Sequence, residues 1–229
     1  NHHLSRQYRR SRGNTTEGRA SAVGQAFSEK KERALRELRS TEWLRDFQRK
    51  LHEKAKAEPG FRFYVLYDKM SRMEVLEEAY AQAKSNGGTS GVDGETFEDV
   101  EARGVAGYLG ELQLEMRERR YTPKPVRRVY IPKPNGTERP LGIPTIRDRI
   151  VQTAFLLILE PIFEADFSPH SHGFRPGRST FSALRELYGQ VRGGHVYMVD
   201  VDIEKFFDEI PHEPLIEAVA SDGLLLSSA

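Results

Sequence analysis

Two aspartates separated by one residue, Asp200 and Asp202, lie in the run His195-Val-Tyr-Met-Val-Asp-Val-Asp-Ile-Glu-Lys-Phe-Phe-Asp-Glu-Ile-Pro-His212. Val196, Val199, Val201 and Ile203 favour an extended backbone, so the run is expected to open as a β-strand. Strand alternation places Tyr197, Val199, Val201 and Ile203 on one side and Asp200 and Asp202 on the other. A half-buried pair of carboxylates is costly unless something pairs with it. A divalent cation is a natural partner, because Mg²⁺ takes one or two carboxylates together with substrate phosphates. The competing reading is a pair of solvated acids at a strand end.

A second group of residues suits phosphate chemistry. Two extended segments, Val126 to Ile131 and Glu138 to Ile143, flank Asn135-Gly136, a dipeptide that favours hairpin turns. Lys133 lies just before the tip and Arg139 just after it. Across a hairpin they converge on one point, the first as a compact charge and the second as a bidentate fork, which suits a triphosphate. Lys124, Arg127 and Arg128 read more simply as solvated cations. Between Ser85 and Gly94 the chain carries four glycines, Gly87, Gly88, Gly91 and Gly94. Such a loop tolerates positive φ and allows close approach to a phosphate backbone. His170 and His172, with Asp166 nearby, have metal-ligand character, but paired loop histidines are more often surface groups.

The elements that must position these residues are mostly helical. Residues 28–57 repeat Leu35, Leu38, Trp43, Leu44, Phe47 and Leu51 at three- and four-residue spacings among basic residues, and Pro59-Gly60 ends the pattern. This helix either lies on RNA phosphates or presents one apolar stripe and a solvated face. Ser71 to Ser85 reads as a helix with Ser71 and Glu74 as a capping box and Val75, Leu76, Ala79, Tyr80 and Ala83 as its apolar face. Thr96 to Arg120 reads as another, with Phe97, Val100, Tyr108, Leu109, Leu112 and Met116 turned inward. A helix opening at Thr145 carries Ile150, Val151, Ala154, Phe155, Leu157 and Ile158, with Pro161 as a kink or junction. Ser179 caps a further helix running through Val191.

Composition bounds the possibilities. The chain has 229 residues and a formal net charge of +1, but its first fifty-odd residues are strongly basic and its end, from Asp200, is acidic. That asymmetry suggests a polyanion at one end and a metal site at the other. With no cysteine, disulfides and thiolate zinc sites are excluded, consistent with a reducing, cytoplasmic setting. Ala154 to Leu159 is the longest strictly apolar run, too short to span a membrane. An initial Asn1 and an end at Ala229, inside an expected helix, suggest a fragment.

Asp202, Ile203, Phe206-Phe207 and Asp208 together resemble the first catalytic motif in the palm of reverse transcriptases encoded by group II introns. The Asn86-to-Gly94 loop resembles the lid loop of that family's N-terminal extension. The Tyr121-to-Pro144 string resembles its fingers, and Gly173-Phe-Arg-Pro-x-Arg-Ser179 matches the following segment. The resemblance covers about Phe61 to Ala220. It implies an α+β fold with mostly helical fingers and a β-hairpin, followed by the first strand and helix of a polymerase palm. The expected layout is a disordered basic tail over 1–27, a basic helix over 28–57, the N-terminal extension with its lid over 61–120, fingers over 121–192 and the start of the palm over 193–229.

The same resemblance implies residue roles. Asp202 would be the catalytic, metal-binding carboxylate, with the Ile203 backbone carbonyl beside it. Lys133 and Arg139 would hold the triphosphate, and Phe207 would sit under the sugar and exclude a ribose 2′-hydroxyl. Gly87, Gly88, Gly91, Arg175 and Arg178 would contact nucleic acid. The implied cofactor is Mg²⁺, two ions in the complete site, and the implied partners are template or intron RNA, a DNA primer and deoxynucleotide triphosphates. The family's second catalytic strand, Tyr-Ala-Asp-Asp, does not occur in the 229 residues, so the chain alone is expected not to polymerise. The alternatives are a non-catalytic, maturase-type RNA-binding module, a CRISPR-associated or retron reverse transcriptase, and a plain α+β domain.

Overall fold

The computed structural model describes residues 41–134, 136–203 and 206–221, without the side chains of Asp208 and Ser221. Its contacts divide the chain into residues 1–45 and 46–229, and the architecture below is that of the second unit. The expected tail over 1–27 and the start of the basic helix lie outside the described residues.

Residues 41–57 are helical (α1). α2 (Leu66–Met70), α3 (Met73–Ser85), α4 (Phe97–Arg103) and α5 (Val105–Arg117) follow. The antiparallel hairpin of β1 (Arg127–Pro132) and β2 (Glu138–Ile143) leads into the long α6 (Ile146–Glu164), and α7 (Thr180–Arg192), α8 (Phe206–Glu209) and α9 (His212–Ser221) complete the described order.

The core lies where α3, α5 and α6 meet. The apolar face expected for α3 is buried in full, from Val75 to Ala83. So is that of α4 and α5, with Phe97, Val100, Tyr108, Leu109, Leu112 and Met116. α6 adds Ile146, Ile150, Val151, Ala154, Leu157, Ile158 and Ile162. Each large aliphatic side chain withdrawn from water contributes about 1.5–3 kcal/mol, which makes this helical stack the chief source of stability. Tyr80 meets Phe97 edge-on at 5.8 Å.

Two local expectations need correction. Ser71 does not cap α3. Its amide donates to Tyr67 O and its hydroxyl to Asp68 O, which ends α2 instead. Arg72 occupies the cap position of α3, without a capping side chain, and Glu74 pairs with Arg72. The 96–120 helix is two helices, because Gly104 takes φ +95° and interrupts the ladder. A true capping box sits at its start, between Thr96 and Asp99. The expected hairpin closes between Lys133 and Thr137: Lys133 N–H donates to Thr137 O at 2.7 Å and Gly136 N–H to Lys133 O at 3.0 Å. Gly136 takes φ +81°, a left-handed conformation that glycine adopts without steric cost. Asn135 lies outside the described residues.

Pro161 does not end α6, which runs on to Glu164. Proline lacks the N–H that would have bonded to Leu157 O. Gln48 Nε2 supplies the missing donor at 2.8 Å. One turn along α1, His52 Nδ1 meets Pro161 O at 3.1 Å, and one turn further Lys56 Nζ donates to Ala165 O at 3.3 Å. Spacings of four on both helices thus form a polar ladder. The cations on the outer side of α1 are paired locally, Arg49 with Asp46 and Glu53, Lys50 with Asp46 and Lys54 with Glu58. Over 46–57 the helix is therefore docked against its own protein with a self-neutralised outer face.

Candidate nucleotide and nucleic-acid site

The hairpin brings the two expected triphosphate residues to one face. Arg139 stands opposite Ile131, and Lys133 is two residues beyond Ile131, so alternation turns both side chains the same way. Inward from the tip this face carries the half-buried Ile131, Val129 and Arg127, while Arg128, Tyr130 and Pro132 are exposed on the other. Lys133 and Arg139 are themselves exposed, and neither has an ion-pair partner among the described residues. That leaves two cations at one end of a hairpin with unneutralised charge.

The glycine loop is fastened by cations. Arg149, on α6, donates to Gly87 O at 3.0 Å and also to Thr89 O. Arg127, on β1, donates to Ser90 O at 3.0 and 2.9 Å and to Thr89 Oγ1 at 3.0 Å. Lys124 Nζ reaches Asp93 at 3.3 Å. Arg127 and Lys124 are thus structural ties rather than the solvated cations expected from sequence. Gly87 and Gly88 adopt φ +62° and +104°, conformations that glycine tolerates. Gly91 has a different reason to be glycine: a Cβ there would lie 2.6 Å from Thr145 Cα and 2.7 Å from Thr145 N. Beneath the loop, Asn86, Gly88, Leu141, Pro144, Arg149 and Gln152 help to line an open cavity of about 540 Å³.

At the start of α6, Thr145 caps the helix by accepting from Asp148 N–H. Asp148 is only 3% exposed. Its carboxylate accepts from Tyr121 OH at 2.5 Å, Thr145 Oγ1 at 2.6 Å and Lys124 N–H at 3.3 Å. Burial, and then the bond to Asp148, push the Tyr121 phenol up. This anchor, unseen from sequence beyond the cap spacing Thr-x-x-Asp, ties the segment that enters β1 to α6.

Of the two arginines expected on nucleic acid, Arg175 is turned inward. It bonds Glu164 through Nε and Nη2 and the carbonyls of Ser168 and Ser171 through Nη1, and its side chain is 6% exposed. The Arg175 bond holds the Glu164 carboxyl below the usual carboxylate range. Arg178 is half-buried and lies within electrostatic reach of Glu164. His170 and His172 share Glu186 of α7, His172 Nε2 at 2.8 Å, and His172 Nδ1 lies 2.8 Å from Ser182 Oγ. They fasten the loop to the helix.

The expected strand over Val196 to Ile203 is not formed; these residues have no regular structure, and Val199, Val201 and Ile203 are 85%, 80% and 64% exposed. A strand exists only when its backbone groups pair with a neighbour, and the described strands are those of the hairpin. Asp200 and Asp202 are exposed. Phe207 is 79% exposed and meets Phe206 edge-on at 5.2 Å. Phe206 is 47% exposed. Among the described residues no group of three or more His, Asp or Glu could hold a metal ion. Asp202 and the Ile203 carbonyl are oxygen donors of the kind Mg²⁺ takes, but they fall short of the carboxylate set that a two-metal centre requires.

Comparison with known proteins fits this partial site. Residues 131–224 match the family described as reverse transcriptase (RNA-dependent DNA polymerase). Over that stretch the chain is similar to reverse transcriptases. Over 184 residues it is 41% identical to the protein YkfC of Escherichia coli, covering 77% of this chain and 48% of that one. It is 38% identical over 157 residues to the group II intron-encoded protein LtrA of Lactococcus lactis, covering 67% of this chain and 25% of the relative. A putative COX1/OXI3 intron 1 protein of Saccharomyces cerevisiae is 37% identical over 148 residues, covering 65% of this chain and 17% of the relative. Two of these three relatives are named as intron or intron-encoded proteins. The chain spans about half the length of YkfC and less of the other two.

Proposed function

We propose that this chain supplies the N-terminal extension, fingers and first palm motif of an RNA-directed DNA polymerase that adds deoxynucleotides to a primer 3′-hydroxyl on an RNA template, with maturase-like binding of intron RNA. The observation that carries the reading is the shared, unneutralised face of Lys133 and Arg139 at the hairpin tip. In this reading Lys133 and Arg139 orient the triphosphate, the glycine loop lies over the template, and Phe207 bars a ribose 2′-hydroxyl. Two magnesium ions would neutralise charge on the reacting phosphates, and Asp202 with the Ile203 carbonyl would be this chain's contribution to holding them. The test is equilibrium binding of a fluorescent deoxynucleotide triphosphate to the 229-residue chain. Lys133→Ala and Arg139→Ala should each weaken binding roughly tenfold, the worth of one charge-assisted hydrogen bond. Unchanged affinity in both variants would remove the hairpin from the site.

One observation favours a second reading. With Asp202 in an exposed segment outside any sheet, the chain as it stands suits an RNA-binding, non-catalytic module. RNA affinity that falls steeply with salt and ignores Mg²⁺, together with no primer extension, would support that module.

A further inference from the structure

α7 carries an apolar stripe that nothing covers. Phe181, Leu184, Tyr188 and Val191 recur at steps of three, four and three, the spacing of a helix that packs along another helix. Leu187 widens the stripe. These five side chains are 40–66% exposed, and no residue of α7 is buried. One edge of the stripe is basic. The Arg185 guanidinium lies 4.9 Å from the centre of the Phe181 ring, and that of Arg192 lies 5.8 Å from the Tyr188 ring. Neither arginine has an ion-pair partner among the described residues.

α9 offers the complement. Leu215 and Ile216 are 46% and 60% exposed, and Val219, one turn on from Leu215, is half-buried. Glu213 and Glu217 stand one turn apart and exposed, an acidic edge beside Ile216. They too lack an ion-pair partner among the described residues. At about 100° per residue, the basic edge of α7 and the acidic edge of α9 lie on the same hand of their stripes. Face-to-face packing brings such edges together when the helices run antiparallel, with Arg192 towards Glu213 and Arg185 towards Glu217. Since both stripes stay exposed, they do not cover each other within one chain. Nucleic acid would use the two arginines but not Leu184, Leu187 and Val191, and the carboxylates of α9 would repel it.

We propose that α7 of one chain seats α9 of a second copy, and reciprocally, in a two-fold dimer. The proposal goes beyond the polymerase reading and does not rest on it.

The test is sedimentation equilibrium of the full 229-residue chain. The parent should dimerise with a dissociation constant on the order of 10 μM. Leu184 is 56% exposed, so Leu184→Glu should keep its thermal midpoint within about 2 °C of the parent while dimerising at least about tenfold more weakly. Reversing the basic edge (Arg185→Glu with Arg192→Glu) or the acidic edge (Glu213→Arg with Glu217→Arg) should each weaken the dimer about 10- to 100-fold, because like charges then face one another. Mixing those two double variants should restore parental affinity, since each then presents the opposite charge to the other. A parent that stays monomeric about tenfold above the expected constant would overturn the proposal. So would a dimer indifferent to reversal of the α9 edge, which removes α9 as the occupant, or a mixture that fails to recover. Association that appears only with added oligoadenylate would assign the α7 face to RNA and overturn it as well.

Discussion

Replacing Asp148 by alanine tests whether the anchor below the hairpin holds the fingers together. The carboxylate is 3% exposed and takes short bonds from Tyr121 OH and Thr145 Oγ1 and a longer one from Lys124 N–H. The helix cap itself survives the change, because Thr145 Oγ1 accepts from the backbone N–H of residue 148. What is lost is the acceptor for three donors. Hydrogen bonds to a charged group are worth about 1.5–3 kcal/mol each, and donors left unpaired carry a desolvation cost. The Lys124 bond is long and the terms are not additive, so the expected loss is about 3–5 kcal/mol. For a chain of this size that corresponds to a fall of roughly 6–20 °C in thermal midpoint. Tyr121→Phe removes one bond and should cost about 1–2 kcal/mol. The two changes share a contact, so a double-mutant cycle in urea unfolding should give a coupling energy of about 1 kcal/mol or more. A loss below about 1 kcal/mol for Asp148→Ala, or a cycle without coupling, would refute the anchor.

Other substitutions test the remaining ties. Gly91→Ala places a methyl group against the Thr145 backbone and should cost about 1–3 kcal/mol by overpacking, whereas Gly94→Ala meets no neighbour and answers only to its positive φ; urea midpoints compare the two. Gln48→Ala strips the donor from Leu157 O and should cost about 1–2 kcal/mol, while Pro161→Ala in the same background restores a helix N–H and should recover most of it. The Glu164 carboxyl is held below the ordinary glutamate value of about 4.3 by Arg175. Its stabilising effect is therefore complete above that pH and is lost as the pH falls through the lower, folded value. Amide exchange in residues 168–178 should accelerate on acidification across that window in the parent and much less so in Glu164→Gln.

Local chemistry was legible in the sequence, and pairings between distant segments were not. The inward positions of α3, α5 and α6 repeat every three or four residues, so periodicity alone marks them. The hairpin was legible because its partners lie a few residues apart, and with it the common face of Lys133 and Arg139. The strand over 196–203 shows the limit. Its β-branched residues express a propensity that only a neighbouring strand can convert into structure. The Ser71 box failed because α2, five residues long, claimed the same serine for its end. Arg127 and Arg149 were invisible as loop fasteners because their acceptors are backbone carbonyls, which every residue type carries.

That last point bears on how the surface meets a polyanion. Arg127, Arg149 and Lys124 hold the glycine loop, each committed to the loop's own oxygens. Arg175 is likewise committed to Glu164. These residues contribute rigidity, tying loop, hairpin and α6 to one another, and their charge is already balanced or directed at carbonyl dipoles. Attraction of phosphate around the hairpin and the loop before α7 therefore falls to cations outside such ties, among them Lys133 and Arg139 on one face of the hairpin, Arg128 on the other and Arg178 before α7. Neutralising one of these four should flatten the salt dependence of RNA binding by about one counterion. Neutralising Arg127 or Arg149 should instead loosen the loop and leave that slope unchanged, and measured slopes separate the two groups.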